Sequence, residues 1–132
     1  MVAGTPQSRK SKGKGFQNSL RDDLIEYLGI SPDDILSTAM GQGGCDLYLS
    51  PAARARFPFG VEAKRCESLA IPAWWKQCEN NASKEGLIPL LVFKRNREEP
   101  LAVLRWSDLI LLLTTTNQSK IGILGDCSGG EV

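Results

Sequence analysis

The chain has 132 residues, 42% of them hydrophobic and 23% charged, with a formal net charge of +1, four cysteines and no histidine. That length and composition fit one globular domain, able to bury about two-thirds of its unfolded surface. The missing imidazole excludes Ser-His-Asp hydrolysis, Cys-His proteolysis, histidine-dependent nuclease motifs and HExxH zinc chemistry. Cys45, Cys66, Cys78 and Cys127 include no CxxC pair, so the usual structural zinc spacings are absent and reduced thiols are expected. The densest apolar run, Leu109 to Leu113, is too short to cross a bilayer, and the first residues lack the apolar stretch of a signal peptide. A cytoplasmic location and no membrane partner are therefore expected.

Residues 1–14 carry Arg9, Lys10, Lys12 and Lys14 with no acidic residue before Asp22. They are expected to form a flexible basic tail that neutralises phosphates, or one that only solubilises the chain. A single domain is expected over 15–125, with a flexible end at 126–132. Phe16, Leu20, Leu24 and Leu28 repeat every four residues, which predicts a helix ending at Gly29. Ser31-Pro32-Asp33-Asp34 predicts a turn.

Three strands are predicted next. The first runs from Ile35 to Met40 and the second from Asp46 to Ser50, joined by the Gly-rich stretch Gly41 to Gly44. In the second, Leu47 and Leu49 face one way, Asp46 and Tyr48 the other. Pro51 to Pro58, with Arg54 and Arg56, reads as a basic hairpin loop that brings Asp46 beside the third strand, Phe59 to Lys64. Pro72 opens a second helix that stops at Gly86. Leu87 to Phe93 reads as a strand buried on both faces, Leu101 to Arg105 as another, and Trp106-Ser107-Asp108 as the cap of a last helix through Leu113. The element order is αβββαββα.

The chemistry centres on Glu62-Ala63-Lys64, sixteen residues after Asp46. Strand alternation puts Glu62 and Lys64 on one face while Val61 and Ala63 turn to the core. Asp46 and Glu62 are hard oxygen ligands for Mg²⁺ or Mn²⁺, with the Ala63 carbonyl as a third. Lys64 then orients water or stabilises charge developing at phosphorus, as phosphodiester hydrolysis requires. Alternatively, Glu62 and Lys64 are a solvated pair on an exposed strand. Lys76, Asn80 and Lys84 form one polar helix face, and Arg65, with Arg54, Arg56, Lys94, Arg95 and Arg97, flanks the strand ends as a candidate phosphate cradle. Trp74 and Trp75, being adjacent, are expected to point in different directions.

A helix, strands carrying Asp46 and Glu62-x-Lys64, a helix bearing Gln77 and then a buried strand resemble the PD-(D/E)xK nuclease superfamily over residues 14–105. Within it, the pattern is most similar to small archaeal-type and phage Holliday-junction resolvases. The resemblance implies an α/β fold with a restriction-endonuclease-like core, a mixed sheet flanked by helices. It also implies branched DNA as substrate, a homodimer, no nucleotide cofactor, and the host cytoplasm if the chain is phage-encoded. Gln77 is implied to act at the active site, and Lys10, Lys12, Lys14, Gln17, Arg65 and Lys76 to contact nucleic acid. Cys45 stands where the superfamily carries proline, and Gln17 where resolvases carry a glutamate. Also open are a nicking, flap or single-strand nuclease, an inactive binding module of the same fold, and an interaction protein docking through Leu109–Leu113.

Overall fold

A computed structural model of the chain describes residues 6–39 and 43–115, and of residues 6–10 the backbone only. Helix α1 (Pro6–Leu28) buries Phe16 and packs Leu20, Leu24 and Ile25 against the core, while Leu28 is 39% exposed. It begins well before Phe16. Residues 6–14, expected to be a flexible tail, are helical. Proline is favoured at a first helical position, and lysine, arginine and glutamine are good helix formers, a propensity that their charge alone does not reveal. Gly29 takes φ +68°, a left-handed conformation that ends the helix at low steric cost.

A 3₁₀ turn (Pro32–Asp34) leads into β1 (Ile35–Ser37), which pairs antiparallel with β2 (Leu47–Leu49). Ile35, Ser37, Leu47 and Leu49 point inward, whereas Leu36 and Tyr48 face solvent. The first strand stops at Ser37, short of the predicted Met40, which lies outside the described residues together with 41 and 42.

Pro51 to Pro58 is not the hairpin loop the sequence reading expects. It holds helix α2 (Pro51–Arg56), whose N-cap Ser50 accepts a hydrogen bond from the Ala53 amide at 3.2 Å. A serine followed by proline and an alanine-rich run is a helix start. With a helix between them, β2 and β3 (Phe59–Arg65) are not a hairpin and fall in different sheets.

β3 pairs in parallel with β4 (Ile88–Lys94) through the crossover helix α3 (Ile71–Lys84), and β4 pairs antiparallel with β5 (Leu101–Val103). This three-stranded sheet is mixed and has helices on its faces, as the fold class predicts. Residues 106–115 form helix α4. β4 is covered on both sides: Leu91 and Phe93 face the α3 side, while Leu90 and Val92 pack against the α1 core. Trp74 and Trp75 both pack on the Cys78, Leu91 and Phe93 cluster, contrary to the expectation that they diverge. Trp74 meets Phe93 at 6.1 Å between ring centroids, and Arg105 lies over the Trp75 ring. Among the described residues, no helix is long and apolar enough to cross a membrane.

The tightest packing is between α3 and β3. A Cβ on Gly60 would lie 2.7 Å from the Ala82 Cβ and 2.9 Å from the Cys45 sulfur. Cys78 and Ala82 are fully buried on the facing helix surface. Only a residue without a side chain allows the helix this close. Gly60→Ala is therefore expected to lower unfolding stability by about 1–3 kcal/mol, as overpacked cores do. Urea titration should show a lower midpoint at an unchanged slope.

Candidate active site

β3 leaves one edge free of the β4 ladder, and Asp46 closes on that edge. Its amide donates to the Val61 carbonyl at 2.9 Å, and its Oδ2 accepts from the Ala63 amide at 2.7 Å. In an extended strand the N–H and C=O of one residue leave by the same edge. The Ala63 carbonyl therefore also leaves β3 on Asp46's side.

The alternation along β3 is the predicted one. Val61 is buried against the α1 core, while Glu62 and Lys64 take the opposite face. That face is roofed by α3, so Glu62 is only 3% exposed. Its Oε2 lies 3.4 Å from Lys64 Nζ, and its Oε1 accepts from Asn81 Nδ2, also at 3.4 Å. Both contacts are long beside the ~2.8 Å of a strong charge-assisted bond. Burial pushes the Asp46 carboxyl above its ordinary range, opposed by the Ala63 amide, Lys64 and Lys14. Burial also pushes Glu62 up, with the Asp46 charge adding to it and Lys64 and Asn81 opposing.

Around this pair the predicted residues divide. Gln17 is 2% exposed, so it offers no surface to nucleic acid. Its amide nitrogen, with two hydrogens to share, lies within hydrogen-bonding reach of three acceptors: Ser37 Oγ at 3.0 Å, the Thr38 carbonyl at 2.8 Å and the Asp46 carbonyl at 2.9 Å. Lys14 sits on the same helix and donates to the Thr38 carbonyl at 2.7 Å. It lies at the site rather than in a tail. Lys12 is exposed, and the Lys10 side chain lies outside the described residues.

Gln77 is exposed and makes no side-chain hydrogen bond among the described residues; Asn81, one turn on, reaches Glu62 instead. Trp74, Cys78, Asn81 and Glu85 recur at helical spacing and form the sheet-facing stripe, which is the signal that would have found Asn81. Lys76 is exposed on the outer face, with Asn80 and Lys84. Arg65 is half-buried and bonded to Asn96 Oδ1 at 3.2 Å. Arg54, expected in a phosphate cradle, instead bridges Glu85 at 2.8 Å, and the other Glu85 oxygen accepts from the Cys45 amide at 3.5 Å. Burial pushes the Cys45 and Cys78 thiols up to about 12. They act as small apolar fillers rather than nucleophiles.

The donor set suits a hard divalent ion. Among the described residues no three His, Cys, Asp or Glu side chains gather, so the protein offers two carboxylates and a carbonyl. An ion that keeps several of its waters, as Mg²⁺ does, matches such a site.

The family model described as "Phage putative PDDEXK endonuclease" matches residues 8–124. The chain belongs to this family. The match takes in most of α1, with Lys14 and Gln17, and both carboxylates. The chain is also similar to Protein D14 of Escherichia phage T5, 27% identical over 115 residues, covering 75% of this chain and 72% of that protein. No solved structure matches it.

Buried carboxyls with raised values favour folding in their protonated form. The pair's contribution is full below the ordinary values of 3.8 and 4.5, and is lost as pH rises through the raised folded values. In EDTA, Glu62→Gln is accordingly expected to raise the urea midpoint at pH 7 and to leave it little changed at pH 4. Equal shifts at both pH values would show that Glu62 carries no such penalty.

Proposed function

We propose that the chain is a metal-dependent DNA endonuclease in which Asp46, Glu62 and the Ala63 carbonyl hold Mg²⁺ or Mn²⁺ and Lys64 assists phosphodiester hydrolysis. The observation that carries this reading is the meeting of the buried Glu62 carboxylate, the half-buried Asp46 carboxylate and the Lys64 ammonium along β3. Left alone, the carboxylates repel a phosphate. A divalent ion bound there supplies Lewis-acid charge to a phosphate oxygen and makes water more acidic. Lys64, partly exposed beside Glu62, stabilises negative charge that develops on the phosphoryl oxygens. Asn81 fixes the other oxygen of Glu62, limiting the rotation of that carboxylate. Lys12 and Lys76, both exposed, offer phosphate contacts away from the reacting bond.

Branched DNA, as cut by Holliday-junction resolvases, is the proposed substrate, and the host cytoplasm the place of action. The resemblance of the site pattern to resolvases and the phage family support these. A two-fold dimer is the proposed assembly, because cutting two opposed strands symmetrically needs two sites. Trp106, Ile110 and Leu113, exposed at helical spacing on α4, supply apolar surface for it. The intact trio of Asp46, Glu62 and Lys64 argues against an inactive binding module.

The test is a labelled four-way junction, a flap and a plain duplex, each incubated with Mg²⁺ or with EDTA. Cleavage is expected only with metal, and fastest on the junction. Glu62→Gln and Lys64→Ala should each cut about 10²–10³-fold more slowly or worse, with DNA affinity preserved. Undiminished cutting by either variant refutes the assigned site, and binding without any cutting by the parent protein makes it a binding module.

A further inference from the structure

We infer that Gln17 is a positioning residue for Asp46, holding that carboxylate at the β3 edge through the main chain rather than touching metal or DNA. This rests on the reading of Asp46 as a metal ligand. Three acceptors surround one end of the Gln17 side chain: Ser37 Oγ, the Thr38 carbonyl and the Asp46 carbonyl, at 3.0, 2.8 and 2.9 Å. Two of these are carbonyls, which accept only, so the NH₂ group occupies this end. The acceptors bracket the segment between β1 and β2. Ser37 and Thr38 lie on its near side and Asp46 on its far side, so one side chain ties both ends.

The tie is local and buried. Gln17 is 2% exposed, directly after Phe16 and about a turn before Leu20 on a helix anchored in the core. The Thr38 amide and hydroxyl also donate to the Asp46 carbonyl, at 2.9 and 3.1 Å. With its carbonyl held on one side, Asp46 turns its amide to Val61 and its carboxylate to the Ala63 amide. A glutamate at position 17 cannot replace this. It would set a carboxylate against two carbonyl oxygens, with no proton to share.

Amide hydrogen exchange of the metal-free protein reads the tie without metal or DNA. Gln17→Met keeps the bulk and removes the donors. The Asp46 and Ala63 amides are expected to exchange about tenfold faster, with the Leu91 and Val92 amides in the sheet interior unchanged. Unchanged rates at Asp46 and Ala63 overturn the proposal. So does uniform acceleration across the sheet, which a merely structural residue would give.

Mn²⁺ alone, titrated by electron paramagnetic resonance, is the second readout. Gln17→Glu and Gln17→Met should both bind it at least about tenfold more weakly than the parent, as loss of an outer-shell partner does. Tighter binding by Gln17→Glu would mark position 17 as a ligand and overturn the proposal, as would unchanged binding by Gln17→Met. If Gln17→Glu does not fold, Gln17→Met decides alone. A parent protein that binds no Mn²⁺ defeats the nuclease reading, while the exchange rates still decide the positioning role.

Discussion

The two sheets meet at Asp46, whose amide and carboxylate bond to successive edge groups of β3, the Val61 carbonyl and the Ala63 amide. These two bonds substitute for the strand ladder that β2 and β3 do not form. They hold the Asp46 carboxylate at the β3 edge, near enough to Glu62 for its charge to be felt there. Everything else near the site holds one side of this junction in place. α1 fixes the approach to Asp46 through Gln17 and Lys14, while the Arg54–Glu85 pair ties α2 and the end of α3 to the Cys45 amide. Gly60 lets α3 come down on the sheet, which seals Glu62 and brings Asn81 to it.

That arrangement works against stability on its own. Two carboxylates sit in reduced solvent, close enough that the charge on Asp46 raises Glu62. Lys64 and Lys14 offset part of the repulsion, but neither forms a short bond to either carboxylate. A core chosen for stability alone would place an apolar residue at position 62, opposite Leu91 and next to Cys78. Strain of this kind concentrates where a site is built to receive a cation. The surrounding packing tolerates it: Leu47, Leu49, Leu91, Cys78 and Ala82 are all at most 1% exposed and form a rigid frame around the pair.

Much of this was legible in the residues, and the failures have physical causes. Period-two alternation in Val61-Glu62-Ala63-Lys64 assigned the faces of β3, because a strand has only two. It was silent about what would cover the Glu62 face, since covering is a tertiary fact. Gln77 follows from a family pattern alone, whereas the periodicity of the buried positions Cys78 and Ala82 points to Asn81 on the same helix. A turn reading of Pro51 overlooks α2, although a serine before proline and three alanines at 52, 53 and 55 mark a helix start. Missing that helix also produced the single-sheet expectation, since a hairpin would have paired β2 with β3.

The N-terminal residues teach a different lesson, because there charge and helix propensity belong to the same side chains. A run of lysines in a tail would sample solvent, whereas on a helix each takes a set place along the axis. Lys14 and Gln17 lie three positions apart, one face of α1, and both converge on the end of β1. Phe16 and Leu20 anchor that helix in the core, so the ammonium of Lys14 stands at a set distance from Asp46 instead of sampling solvent. The net charge of +1 says nothing of how charge is distributed at the site. Two lysines from separate elements flank two carboxylates, and the balance between them leaves the site close to neutral before any cation enters. A near-neutral site attracts a divalent ion only weakly by charge alone. Under the proposed nuclease reading, an approaching phosphate would add the missing negative charge, so metal and DNA would strengthen each other's hold by the reciprocity of linked binding.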